Sequence, residues 1–95
     1  MEYELMLLFK PLTNEDIKER IFPKIEKAVK ELDGSIKIRE TIGKRLLAYE
    51  IKNNKEGYYL LCDLSLSSAK LAKLKEKLNL TSELLRYLNI RKDQL

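Results

Sequence analysis

Apolar residues group into six segments along the chain, and their spacing predicts the type of each element. Residues 2–9 form a near-continuous apolar run, which is typical of a strand buried on both faces and therefore central in its sheet. Apolar residues then recur at helical spacing over 14–32, which predicts a helix capped by Thr13 and stopped by a left-handed Gly34. Pro23 lies inside this helix and is expected to kink it, a break into two helices being the less favoured alternative.

The second half of the chain predicts a hairpin, a helix and a last strand. In a strand over 35–51 the apolar positions change parity midway. Because side chains alternate strictly in a regular strand, an extra residue must enter, and Gly43 is the natural site for such a bulge. A polar turn is predicted over 53–57. The remaining elements are a return strand over 58–66, a helix over 68–79 and a strand over 84–90.

The order β-α-β-β-α-β predicts an α+β fold of the ferredoxin-like type. Right-handed crossovers place both helices on one face of a four-stranded antiparallel sheet, with strand order 4-1-3-2. No linker or low-complexity tract interrupts the sequence, so we expect residues 1–95 to form a single domain that folds alone as a monomer. The predicted core comprises Leu5, Leu7, Ile21, Ile25, Val29, Ile36, Leu60, Leu64, Leu71 and Leu74, together with Tyr49, Tyr58 and Cys62.

The face of the sheet opposite the helices is expected to be open and unusually apolar. An open antiparallel face normally alternates to polar residues, so an apolar patch there indicates a surface for a partner protein. The alternatives are that the strand parity is reversed or that the helices cover more of the sheet. In the last strand the parity is ambiguous, because Leu85 and Tyr87 form an equally consistent core set. The predicted partner-protein interface comprises Met6, Leu8, Tyr59, Leu61, Leu88 and Ile90.

Composition argues against most kinds of enzyme. The 95 residues include no histidine and a single cysteine, so the chain lacks an imidazole base and cannot form an internal disulfide. None of its three glycines belongs to a phosphate-binding loop. The apolar run near the start is too short for a membrane span or a signal peptide. We therefore expect a cytoplasmic protein with no catalytic residue, no cofactor and no metal site.

Positive charge points weakly towards a polyanion. Lysine and arginine number 19 against 15 acidic residues, which gives a net charge of +4. Arg45 and Arg86 lie on predicted strands, where a guanidinium group could grip phosphate from a fixed scaffold. The lysines of the second helix are typical of a solvated helix face. Base stacking on the tyrosines is not favoured, because residues 57–61 lack the aromatic signature of an RNA-recognition sheet.

One segment carries a specific resemblance. Residues 42–51 read Ile-Gly-Lys-Arg-Leu-Leu-Ala-Tyr-Glu-Ile, and Gly-Tyr-Tyr follows at 57–59. With Tyr3-Glu4 near the start and Leu-Leu-Arg at 84–86, this pattern resembles the bacterial small-subunit ribosomal protein S6 family over essentially the whole chain. Two features depart from the family: Glu50 stands where proline is common, and the family often has a longer C-terminal tail, so tail-mediated partner contacts are expected to be reduced here.

The resemblance implies the ferredoxin-like fold and a structural place in the small ribosomal subunit, in the cytoplasm. It further implies binding to 16S rRNA together with ribosomal protein S18, as a heterodimer. The alternative is a regulatory module that homodimerises through its open face; an enzyme on the same fold would need an anion loop, which is missing. The positions assigned to RNA are Lys44 and Arg45, which match the family's basic pair, Arg86 in the last strand, and Arg91 after it.

Overall fold

A computed structural model describes residues 2–91, Arg91 through its backbone alone. It contains four antiparallel strands in the order β2-β3-β1-β4 and two helical segments between them, which confirms the predicted ferredoxin-like fold. The strands are β1 (Glu2–Phe9), β2 (Ser35–Ile51), β3 (Asn54–Ser65) and β4 (Leu84–Arg91). Helix α1 joins Asn14–Asp16, a π-helical turn Ile17–Ile21 and Phe22–Glu31, and α2 joins a 3-10 turn Ser68–Lys70 and Leu71–Asn79.

Helix α1 runs through its proline without a break. Thr13 caps it as predicted, because the Thr13 hydroxyl accepts a hydrogen bond of 3.1 Å from the backbone N–H of Asp16. Proline lacks an N–H, and its ring collides with the carbonyl four residues earlier in a regular helix. The π-turn lies immediately before Pro23, where the N–H of Phe22 donates to the carbonyl of Ile17. The wider turn accommodates the ring within one continuous helix.

The end of α1 corrects the role given to Gly34. The left-handed residue is Asp33, with φ of 61°, and the N–H groups of Asp33 and Gly34 donate to the carbonyls of Lys30 and Val29. Gly34 is instead required for space, since a Cβ there would lie 2.6 Å from the carbonyl oxygen of Ser65. The Asp33 carboxylate accepts a hydrogen bond from Lys70 Nζ at 2.8 Å, which lowers the pKa of Asp33.

The β2–β3 hairpin is longer and more irregular than predicted. Its pairing shifts between Ile38 and Glu40, between Thr41 and Gly43, and again before Ile51. The predicted bulge at Gly43 is confirmed, and its φ of 87° favours glycine. The predicted turn over 53–57 is wrong. The chain reverses at Lys52 and Asn53, which both have a left-handed backbone conformation, and β3 begins at the next residue, Asn54.

The hairpin therefore extends beyond the rest of the sheet. Pairing between β1 and β3 stops at Phe9 and Tyr58, so residues 45–57 form a two-stranded arm beside which residues 2–91 place no third strand. We call this segment the hairpin arm.

The main core lies between the sheet and the helices. Tyr3, Leu5, Leu7 and Phe9 of β1 are all buried, as are the alternate residues of β3 from Tyr58 to Leu64. Every predicted core residue belongs to this cluster or packs against it, with one exception. Tyr49 is 65% exposed, because it lies on the hairpin arm beyond the reach of the helices. Within the described residues, neither helix is long and apolar enough to cross a membrane.

Cys62 is a core residue whose ionisation is linked to folding. Burial, with a smaller effect of the Asp63 charge, raises the pKa of the Cys62 thiol from its ordinary value of 9.0 to about 12. The unfolded chain therefore loses this proton first, and the free energy of unfolding should fall by about 1.4 kcal/mol per pH unit between the two pKa values. Denaturant titrations of the parent and Cys62→Ala at several alkaline pH values test this expectation. In Cys62→Ala the free energy of unfolding should fall less steeply with pH than in the parent. Equal slopes in the two proteins would contradict the expectation.

Candidate interface on the open face of the sheet

The strand register settles which residues face away from the helices. Met6 pairs with Leu61 and Leu88, and Leu8 pairs with Tyr59. Directly paired residues share a face of the sheet, so these five side chains lie on the face opposite the core, as predicted. Ile90, opposite Glu4, lies on the same face.

The ambiguity of the last strand has a structural cause. The register of β4 against β1 shifts between Leu8 and Phe9. Before this bulge in the chain, Leu84 is part of the main core, and after the bulge Tyr87 packs against the same core. Leu85 joins the opposite face, so its assignment to a shared core set with Tyr87 is wrong. A change of parity inside so short a strand cannot be located from alternation alone.

A second apolar cluster covers part of the open face. Leu8, Ile51 and Leu85 are buried together, with Leu47 and Tyr59 packed against them. The prediction that Leu8 is open to a partner is therefore corrected, since Leu8 is only 5% exposed. The register shifts of β2 explain the difference, because bulges bend and twist a strand, and here the hairpin arm brings Ile51 over the face.

A hollow of about 300 Å³ remains beside this cluster. Leu88 of β4 lines the hollow and has 59% of its surface exposed. Tyr49 of the hairpin arm stands opposite Arg86, whose guanidinium carbon lies 6.0 Å from the centre of the Tyr49 ring. The hollow is lined by Met6, Leu8, Tyr49, Ile51, Tyr59, Arg86, Tyr87 and Leu88.

An ion-pair network borders the apolar region. Arg39, the residue inserted at the first register shift of β2, lies 3.0 Å from a carboxylate oxygen of Glu4 and 3.3 Å from one of Asp63. Glu4 and Asp63 are directly paired across β1 and β3. The positive charge of Arg39 is therefore compensated within the sheet, and this arginine is poorly suited to binding a polyanion.

The predicted RNA-binding residues are spread over the hairpin and the last strand. Lys44 pairs with Tyr58 and Arg45 with Gly57, so the adjacent pair points to opposite sides of the sheet. Arg45 donates to the carbonyl of Lys44 at 2.8 Å, and Arg86 lies at the rim of the hollow. In the part of the chain described, neither arginine forms an ion pair. The side chain of Arg91 lies outside the described residues.

Four contributors to this face were missed by sequence reasoning: Leu47, Tyr49, Ile51 and Leu85. The shared parity of Leu47, Tyr49 and Ile51 after Gly43 was the available signal. It shows that these residues share a side of the strand, but it does not show that the arm carries them over the open face.

A protein-family model described as Ribosomal protein S6 matches residues 2–91. Among individual proteins, the chain is 34% identical over 92 residues to the small ribosomal subunit protein bS6 of Desulforudis audaxviator, covering 97% of this chain and 98% of that one. It is 39% identical over 88 residues to the protein of the same description from Streptomyces griseus, covering 88% of each.

Other relatives extend beyond the matched region. The chain is 36% identical over 93 residues to the bS6 protein of Gluconobacter oxydans and covers 58% of its length. The crystal structure of 30S ribosomal protein S6 from Thermotoga maritima is similar, with a TM-score of 0.83 at 29% identity, covering 98% of this chain and 88% of that one. The similarity thus extends to sequence and structure over nearly the whole chain.

Proposed function

Because this chain belongs to the ribosomal protein S6 family, we propose that it is a structural component of the small ribosomal subunit, located with the ribosome in the cytoplasm. We further propose that it binds 16S rRNA together with ribosomal protein S18, with which it forms a heterodimer. The observation that carries this proposal is an open sheet face that combines an apolar hollow with Arg86, an arginine that forms no ion pair within the described residues. Such a face suits a site where protein and RNA meet.

The apolar part of the face is assigned to S18. Its contact surface comprises the residues that remain accessible, Met6, Tyr59, Leu61, Leu88 and Ile90, while Leu8 supports them from below. Tyr59 packs against the buried cluster and also lines the hollow, so it presents a large rigid side chain at a fixed position. Rigid aromatic residues commonly concentrate binding energy at the centre of an interface.

The basic part is assigned to rRNA phosphate. Arg45 and Arg86 are exposed and lack a carboxylate partner within the described residues, whereas Arg20, Arg39 and Lys70 each pair with one. Lys44 and Arg91 are proposed as further contacts. With few phosphate contacts, the protein alone should bind RNA weakly and in a salt-sensitive way, so S18 is needed for tight binding.

The RNA assignment predicts a specific loss in a double variant. Replacing Arg45 and Arg86 by alanine should weaken binding of the S18 heterodimer to a 16S rRNA central-domain fragment by about tenfold or more at moderate salt. It should also reduce the slope of log K against log salt by roughly one for each lost phosphate contact. Filter-binding titrations at several salt concentrations measure both quantities.

The control variant replaces Arg20 and Lys24 on α1, which removes the same charge from the other side of the molecule. Its RNA affinity should remain close to that of the parent. Equal losses in both double variants would mean that only net charge matters, and an unchanged affinity for the Arg45 and Arg86 variant would remove the proposed contacts.

The proposal as a whole is tested by assembly. The protein should cosediment with small subunits at low salt and leave them at high salt, and it should form a one-to-one complex with purified S18. A concentration-dependent homodimer that ignores S18 would instead support a regulatory module.

A further inference from the structure

Tyr49 of the hairpin arm is a large aromatic residue that belongs neither to the core nor to the proposed S18 contact. Its neighbours on the same side of the strand, Leu47 and Ile51, pack into the second apolar cluster, but Tyr49 itself is 65% exposed. A tyrosine in this position gains little stability from burial. Its ring instead lies against the guanidinium group of Arg86.

The contact joins the two outer strands of the sheet. Tyr49 lies on β2 and Arg86 on β4, and β3 and β1 lie between these strands in the sheet order. The two side chains meet because the hairpin arm lies over the open face. Ile51, two residues after Tyr49, and Leu85, immediately before Arg86, are buried together in one cluster. Buried side chains therefore fix the backbone on both sides of the contact.

The contact holds Arg86 without neutralising it. The guanidinium carbon lies 6.0 Å from the centre of the Tyr49 ring, within the distance at which the face of an aromatic ring attracts a cation. Such a contact uses no carboxylate, so the charge and the planar set of N–H donors stay available for a phosphate group. Arg39 shows the opposite arrangement, because its N–H groups lie 3.0 and 3.3 Å from carboxylate oxygens of the sheet.

We propose that Tyr49 is a positioning residue for RNA binding, whose ring holds the Arg86 guanidinium at the rim of the hollow for an rRNA phosphate. This inference rests on the proposed function and names a residue that this function needs besides the arginine itself. An exposed arginine side chain populates many rotamers, and ordering it during binding lowers affinity. The ring of Tyr49 restricts Arg86 before the RNA arrives, so less order is lost on binding.

The first test is made on the free protein. NMR relaxation of the Arg86 Nε–H group is measured in the parent, in Tyr49→Phe and in Tyr49→Leu. Phenylalanine keeps the face of the ring, whereas leucine keeps an apolar side chain without it. The order parameter of Arg86 should fall in Tyr49→Leu and stay near the parent value in Tyr49→Phe. Equal mobility of Arg86 in all three proteins would overturn the inference without any use of RNA or S18.

The second test is a double-mutant cycle on RNA affinity. Each variant is combined with saturating S18 and titrated onto the 16S rRNA central-domain fragment. Tyr49→Leu should weaken binding by about three- to tenfold, and Tyr49→Phe should restore it. In an Arg86→Ala background Tyr49→Leu should cause no further loss, because its effect passes through Arg86. In an Arg45→Ala background the full loss should remain, since Arg45 is held by the carbonyl of Lys44 and not by this ring.

The possible results separate this inference from the function it rests on. Loss of RNA affinity in Arg86→Ala with unchanged affinity in Tyr49→Leu would overturn the positioning role and leave the RNA contact of Arg86 intact. A further loss from Tyr49→Leu in the Arg86→Ala background, or a loss of S18 affinity, would show that Tyr49 contacts RNA or S18 itself and would also overturn it. A parent heterodimer that does not bind the fragment would overturn the proposed function together with the role of Tyr49.

Discussion

Truncating Leu64 to alanine is expected to lower the free energy of unfolding by about 2–5 kcal/mol, because the change leaves a cavity that the neighbouring elements cannot fill. Leu64 is 0% exposed. It lies between Tyr3 of β1 and Ile36 of β2, its direct partners in the sheet, and belongs to the main core. Urea titrations followed by circular dichroism measure the effect, with the midpoint falling and the slope unchanged.

Leu46 provides the matched control. It carries the same side chain in the same sheet, but it lies on the hairpin arm and is 80% exposed. Leu46→Ala should change the free energy of unfolding by no more than about 0.5 kcal/mol. Equal losses in the two variants would mean that the arm is part of the cooperative core, and no loss at Leu64 would contradict the inward orientation of β3.

The elements with a clear period were predictable because each pattern matched one local geometry. The apolar alternation of β3 identified the buried face of the central strands, and Thr13 marked the start of α1. The π-turn that accommodates Pro23 was not predictable. It depends on how the helix packs against its surroundings, and it produces no simple period in the sequence. The left-handed residue that ends α1 was predicted to be Gly34 but is Asp33. An aspartate can adopt the left-handed conformation, and here its carboxylate is held by a hydrogen bond from Lys70.

The sequence predicted most of the residues that lie on the open face, but it did not predict the shape of that face. Strict alternation placed Met6 and Tyr59 on that face correctly. The position of the hairpin arm was not predictable, because each of the three register shifts moves the later residues of β2 relative to β3. These shifts decide that Leu8 is covered and that Tyr49 is exposed. The basic residues were located on their strands, but their ion pairs depend on partners distant in sequence, as for Arg39 and Glu4.

Replacing Leu88 by glutamate is expected to abolish tight binding of S18 while leaving the free protein folded. Leu88 is exposed in the free protein, so a charge there remains hydrated and should change the free energy of unfolding by about 0.5 kcal/mol or less. In the complex the same charge would be taken out of water among apolar side chains, and because Arg86 in the same hollow offsets part of the penalty, the net cost is expected at the lower end of about 3–5 kcal/mol. This corresponds to a rise in Kd of about a hundredfold or more.

The matched control for this variant is Leu80→Glu. Leu80 is 84% exposed and follows α2, on the helical side of the molecule, so the substitution adds the same charge away from the open face. Thermal unfolding and isothermal titration with S18 are measured on both variants. Loss of affinity in Leu88→Glu alone, at unchanged stability, places the partner on the open face. Lost stability without a separate loss of affinity would make Leu88 a structural residue, and equal affinity in both variants would move the S18 contact to another surface, such as the β2 edge.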